Sequence, residues 1–128
     1  MTTAPESLGH YPGRPAIDAY GNGGFRFADM SHRGHLLFLP TGVFGSTTSD
    51  PDALAREALA MLIQQPTPQM VLLLGTGHKQ VFPSPATRKL FAEVGIGLEA
   101  MTTGSACRTY NILLSEQRAV AAAVMAVE

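Results

Sequence analysis

The 128-residue chain carries one cysteine, Cys107, so no intrachain disulfide can form and a reducing, cytoplasmic setting is the expectation. Charge is sparse as well: charged residues make up 15% of the chain against 45% hydrophobic ones, and nine basic against ten acidic side chains leave a net charge of -1. No basic run could neutralise several phosphates in a row, which argues against nucleic acid as a partner. Long apolar runs are missing too. The longest, residues 119–127 and 70–74, fall far short of the roughly 20 residues of a membrane span, so no transmembrane segment is expected. The N-terminus has neither a basic start nor an apolar stretch and does not read as a secretory signal. There is no Cys-x-x-Cys pair, no paired catalytic carboxylates and no Gly-x-Ser-x-Gly elbow, and His10, His32, His35 and His78 lack metal-ligand spacing. Neither a metal nor a cofactor is expected, and no residue is assigned a catalytic role.

What remains is globular composition at a length of about one domain. Residues 1–13 contain Pro5, Gly9, Pro12 and Gly13 without apolar periodicity and read as a flexible arm; residues 14–128 read as a single α/β domain. Between Pro15 and Pro40 the pattern is strand-like: residues 17–20, the turn Gly21-Asn22-Gly23-Gly24, residues 25–27, and residues 35–39. Asn-Gly supplies the positive φ that a tight hairpin needs, and Phe25 and Phe27 alternate with Arg26. A stretch rich in glycine, serine and threonine then reads as a loop.

Asp50-Pro51 and Ser84-Pro85 each open a helix, because the first side chain caps free N–H groups and proline in the first turn forgoes no hydrogen bond. Leu54, Ala58, Met61 and Leu62 share one face of the first helix; Thr87, Leu90, Phe91 and Val94 share one side of the second, which Gly95 ends. Residues 70–74 form an apolar run suited to a strand buried on both faces, and residues 96–101 form the next strand. A third helix spans about residues 103–115, with Ala106, Cys107, Tyr110, Leu113 and Leu114 inward. Residues 120–127 read as a closing strand, although their alanines also suit a helix. The expected architecture is an N-terminal β-meander joined to a parallel βαβαβ unit, a three-layer domain with helices packed on a mixed sheet.

In a parallel sheet the turns after the strands share one edge, so Gly75, Thr76, Gly77 and His78 should face Thr102, Thr103 and Gly104 across a crevice. The glycines expose backbone N–H groups and the third helix presents its N-terminus, where an anion is favoured. Arg108, one turn into that helix, could clamp a carboxylate or phosphate, and Asn111 shares its face. The competing reading is structural: a threonine caps the helix, the glycines make turns, and Arg108 pairs with an acid such as Glu116. Cys107 is a core residue or a thiol nucleophile, its inner-face spacing favouring core.

Gly75-Thr76-Gly77, Phe82-Pro83, Gly95-Ile96, Glu99-Ala100-Met101, Thr103-Gly104, the run from Ala106 to Leu113, Glu116 and the run from Arg118 to Ala123 together resemble a small single-domain family of unknown function. Its mitochondrial members include the NADH dehydrogenase (complex I) assembly factor 3. The resemblance implies a compact α/β domain without an established activity, working through protein contacts, and supports a strand at the C-terminus. It also implies an acidic residue at position 102, a glycine at 117 and a tryptophan after the early strands, where this chain has Thr102, Gln117 and Phe44. The resulting expectation is a non-enzymatic protein-binding or assembly module, with a homodimer one arrangement that its neutral surface and edge strands permit. Its competitor is a small-anion enzyme or ligand sensor using the same crevice.

Overall fold

The computed structural model describes residues 9–48 and 50–128. Among the described residues, nine strands and three helices follow in chain order: β1 (His10–Tyr11), β2 (Ala19–Gly21), β3 (Gly24–Phe27), β4 (Met30–Arg33), β5 (His35–Leu39), β6 (Gly42–Ser46), α1 (Pro51–Leu62), β7 (Val71–Gly75), α2 (Pro85–Val94), β8 (Gly97–Met101), α3 (Thr103–Ser115) and β9 (Val120–Val124). A six-stranded mixed sheet runs β1-β6-β5-β9-β7-β8, and a separate antiparallel sheet runs β2-β3-β4. The parallel βαβαβ unit is present as expected, with β7 between its parallel partners β8 and β9.

Period-2 alternation divides the apolar strands between two cores. Leu36, Phe38, Leu73, Val120, Ala122 and Val124 face α3 and the small sheet, whereas Leu37, Leu39, Leu72, Leu74, Ala121 and Ala123 face α1 and α2. The molecule is therefore three layers deep. The alanines of β9 suit this place, since small side chains let helices approach both faces of the central strand.

Helix starts follow the sequence signals. The Asp50 side chain accepts from Ala53 N–H at 2.8 Å, Ser84 from Thr87 N–H at 3.2 Å, and Thr102 from Ser105 N–H at 3.3 Å. At the far end of α3, Gln117 adopts φ 60°, the left-handed conformation that glycine occupies without strain. Its N–H donates to the Leu114 carbonyl and that of Arg118 to Leu113, both at 3.0 Å, so the chain must turn there whatever residue is present. Gln117→Gly should raise stability by about 0.5–1 kcal/mol in urea titration, and a lowered midpoint would contradict this reading.

Several expectations require correction. Residues 42–46 form β6, not a loop, and residues 30–33 form β4. The hairpin between β3 and β4 turns through Ala28 and Asp29, both at positive φ, and so lacks the glycine signal that Asn22-Gly23 supplies to its neighbour. Of the expected arm, residues 1–8 lie outside the described residues. His10–Tyr11 pairs with β6, and Tyr11 packs on the core. Gly42 permits this crossing, since a Cβ there would lie 2.8 Å from the Tyr11 carbonyl oxygen, and Gly45 N–H donates to the Gly9 carbonyl at 3.0 Å. On α2 only Thr87 and Phe91 are buried, while Leu90 and Val94 are exposed because the sheet beneath ends at β8.

His35 ties the two halves of the large sheet. Its Nδ1 accepts the Ala126 N–H at 2.8 Å, which requires an unprotonated nitrogen, and burial lowers its pKa from the usual 6.5. Burial lowers His32 in the same direction. A histidine depressed on folding contributes stability that is complete above its unfolded pKa and is lost as pH falls through the folded value. Stability should therefore drop as pH falls below 6.5. Urea midpoints at pH 7.5 and 5.5 test this, and His35→Gln should flatten the slope; an unchanged slope in that variant would reject the assignment.

Candidate functional site

The C-terminal ends of β7, β8 and β9 bring the two expected loops together. Thr76 N–H donates to the Met101 carbonyl at 2.8 Å, and Thr103 N–H donates to the Gly77 carbonyl at 2.9 Å. The Thr103 hydroxyl accepts Gly77 N–H at 2.9 Å and donates to the Met125 carbonyl at 2.8 Å, fastening β7, α3 and the segment after β9 at one point. Thr76 is buried and equally occupied. Its hydroxyl donates to the Lys79 carbonyl at 2.5 Å and accepts Val81 N–H at 3.0 Å.

Gly75 lies where α3 crosses β7 most closely. A Cβ there would stand 3.0 Å from the Cα of Thr103, 3.0 Å from a Val124 methyl and 3.1 Å from the Ala106 methyl. Gly104 has a different neighbour: the Tyr20 hydroxyl occupies the place where its Cβ would project. Tyr20, 45% exposed, therefore lies over the first turn of α3.

The remaining site residues separate into surface and scaffold. His78 is exposed, and Gly77, at φ 103°, has open space where a Cβ would be. Thr102 is half-buried as the α3 cap. Arg108 is exposed and donates to Ser105 Oγ at 3.2 Å, while Glu116 pairs with Arg118 at 3.6 Å. Asn111 does not reach the 75–79 loop. Its Oδ1 accepts Ile17 N–H and its Nδ2 donates to the Ile17 carbonyl, each at 2.8 Å, which clamps the chain ahead of β2 against α3.

Cys107 is buried between α3 and the sheet, and desolvation pushes its thiol up to about 12 despite the nearby Arg108. At neutral pH it is a protonated thiol, packed as a small hydrophobe. The Tyr110 hydroxyl is buried without a hydrogen bond among the described residues, and burial raises its pKa against the opposing influence of Arg14.

Two neighbours of the crevice were not legible in the sequence. Tyr20 reaches it only through tertiary packing. Phe82, at the end of the 75–83 loop, is 70% exposed and Val81 beside it is 47% exposed. The hydrogen bonds of Thr76 and the bond from Gln80 Nε2 to the Ala100 carbonyl, 2.7 Å, hold that loop along the free edge of β8.

Among the described residues no helix is long and apolar enough to cross a membrane. Residues 17–125 match the family described as "Protein of unknown function (DUF498/DUF598)". An uncharacterized protein of Rhodobacter capsulatus is 37% identical over 122 residues, 95% of this chain and 92% of that one. The NADH dehydrogenase (ubiquinone) 1 alpha subcomplex assembly factor 3 of Xenopus tropicalis is 26% identical over 85% of this chain, which spans 60% of that protein's length. A solved structure described as an outer membrane protein from Bartonella henselae superposes with a TM-score of 0.83 at 46% identity, covering 93% of this chain and all of that one. With the matched span running from ahead of β2 to just past β9, the chain belongs to the DUF498/DUF598 family of unknown function, to which the complex I assembly factor 3 proteins are related.

Proposed function

We propose that the protein is a non-enzymatic binding or assembly module that recognises a protein partner through the edge carrying the 75–83 loop and the start of α3. The observation that carries this reading is the exposure of Phe82, 70%, on a loop held by internal hydrogen bonds. An aromatic ring displayed on a fixed loop is a common anchor of protein interfaces, because it buries much apolar area with little loss of side-chain freedom. Gly77, His78, Thr102 and Arg108 supply the polar surround. Gly75, Thr76, Thr103 and Gly104 hold the edge in shape, and Asn111 fixes the chain that leads to Tyr20.

The use of the Thr76 and Thr103 hydroxyls by the chain's own backbone supports a contact surface over a substrate pocket. The names of the assembly-factor relatives point the same way. A cytoplasmic setting suits the single unpaired thiol of Cys107.

Affinity purification of tagged protein at native abundance under mild conditions tests the proposal. A partner protein should be recovered with the wild type and lost with Phe82→Ala, whose melting temperature should stay near that of the parent because the ring packs on little. Recovery of the chain alone, or equal recovery by the variant, would refute the assignment. An Arg108-dependent rise in melting temperature with a small carboxylate or phosphate compound would favour the ligand-sensor reading instead.

A further inference from the structure

The outer face of the β2-β3-β4 sheet holds a cavity of about 330 Å³. Register places Ala19, Arg26 and Ser31 side by side across the three strands, and Gly21, Gly24 and Arg33 side by side two residues away. Phe25 is buried on the opposite face, so these two rows look outward. Ala19, Gly21 and Gly24 contribute little or no side chain to them. At Gly24 a Cβ would run into the His32 backbone carbonyl, so the close approach of β3 and β4 requires glycine there.

We propose that this cleft binds an extended acidic segment of a protein partner, with Arg26 and Arg33 each gripping one carboxylate. Charge complementarity carries the inference. Both arginines are exposed, and neither makes an ion pair within 4.0 Å among the described residues. They are diagonal neighbours on adjacent antiparallel strands, so their Cα atoms stand roughly 7–8 Å apart. Same-side residues of an extended chain repeat at roughly 6.5–7 Å, so a strand with acidic residues at alternate positions meets both guanidinium forks, each suited to a bidentate carboxylate.

The Glu128 carboxylate lies close to Arg33, beside Gly23. A Cβ on Gly23 would lie 3.3 Å from Arg33 Nη2 and 3.7 Å from Glu128 Oε2. It makes no ion pair with Arg33 within 4.0 Å among the described residues, so the guanidinium is left to a partner's carboxylate. Tyr20 pairs with Phe25 and shares its face, where the Tyr20 hydroxyl covers Gly104, so the strand that borders the cleft also packs on the first turn of α3. The inference deepens that reading by naming the chemistry of the partner.

Titration of the full 15N-labelled chain with a blocked hexapeptide of alternating glutamate and threonine tests it by NMR, without any native partner. The expected result is a set of amide shifts confined to residues 19–33, with affinity roughly tenfold weaker in Arg26→Gln and in Arg33→Gln. Glu128→Gln should bind more tightly. Both arginines are exposed, so an unchanged spectrum outside the cleft verifies that the variants are folded. Absence of shifts at millimolar peptide, an equal response to the glutamine version, or a stronger response to inorganic phosphate or oligothymidylate would overturn the proposal. Failure here leaves the Phe82 surface intact, since that surface is read out by recovery of the native partner rather than by this peptide.

Discussion

Phe38→Ala should lower the stability by about 3–5 kcal/mol, the largest loss expected from any single truncation in this chain. Phe38 is fully buried in β5, the strand that joins the antiparallel half of the large sheet to β9. Its ring meets Phe27 edge-on at 5.5 Å and 81°, and Tyr110 at 5.5 Å and 47°. One side chain therefore links the small sheet, the large sheet and α3. Its removal loses the transfer energy of a phenyl ring and leaves a cavity walled by the small sheet, the large sheet and α3, none of which can collapse without moving the others. Against a typical total of about 5–15 kcal/mol, the variant should unfold at much lower urea. A loss under about 1.5 kcal/mol would mean that the two sheets and α3 are less tightly joined than their geometry indicates.

Gly75→Val should have the next largest effect, through overpacking. The Thr103 Cα, the Val124 methyl and the Ala106 methyl already surround the Cβ position at 3.0–3.1 Å, closer than ordinary carbon contact. One of these atoms is backbone at the first turn of α3, so α3 must lift away from β7. Alanine should cost about 1–3 kcal/mol, and valine, with two further methyls, more than alanine. Displacement of α3 also strains the bonds between Gly77 and Thr103, so amide exchange at Gly77 and Thr103 should accelerate in the variants. A Gly75→Val protein as stable as the parent would show that this close approach does not fix the edge.

Local chemistry accounts for the elements that were legible in the sequence. Asp50-Pro51, Ser84-Pro85 and Thr102 start helices because they satisfy free N–H groups, and those contacts lie within a few residues. β7 was readable from an apolar run set between breaks; β9, whose alanines also suit a helix, was readable from its place in the strand–helix succession and from the resemblance. β4 and β6 were not, because one follows a turn through Ala28 and Asp29 and the other contains glycines required by β1, a neighbour distant in sequence. The convergence of residues 75–78 with 102–104 followed from topology. That Thr76 and Thr103 would spend their hydroxyls on the chain's own backbone did not, since their partners at Val81 and Met125 are set by tertiary geometry. The exposure of Phe82 depends likewise on the sheet ending at β8. Gln117 is the reverse case: the resemblance implied glycine there, and its positive φ supplies the physical reason.

The central claim is that the edge carrying Phe82 is a protein-contact surface, and photo-cross-linking in living cells tests it most directly. A photoreactive phenylalanine analogue at position 82 should yield one discrete cross-linked product with a different protein, whereas the same analogue at Ala60, exposed on α1, should yield none. Absence of any product from position 82, with the chain recovered only as itself, would contradict the account.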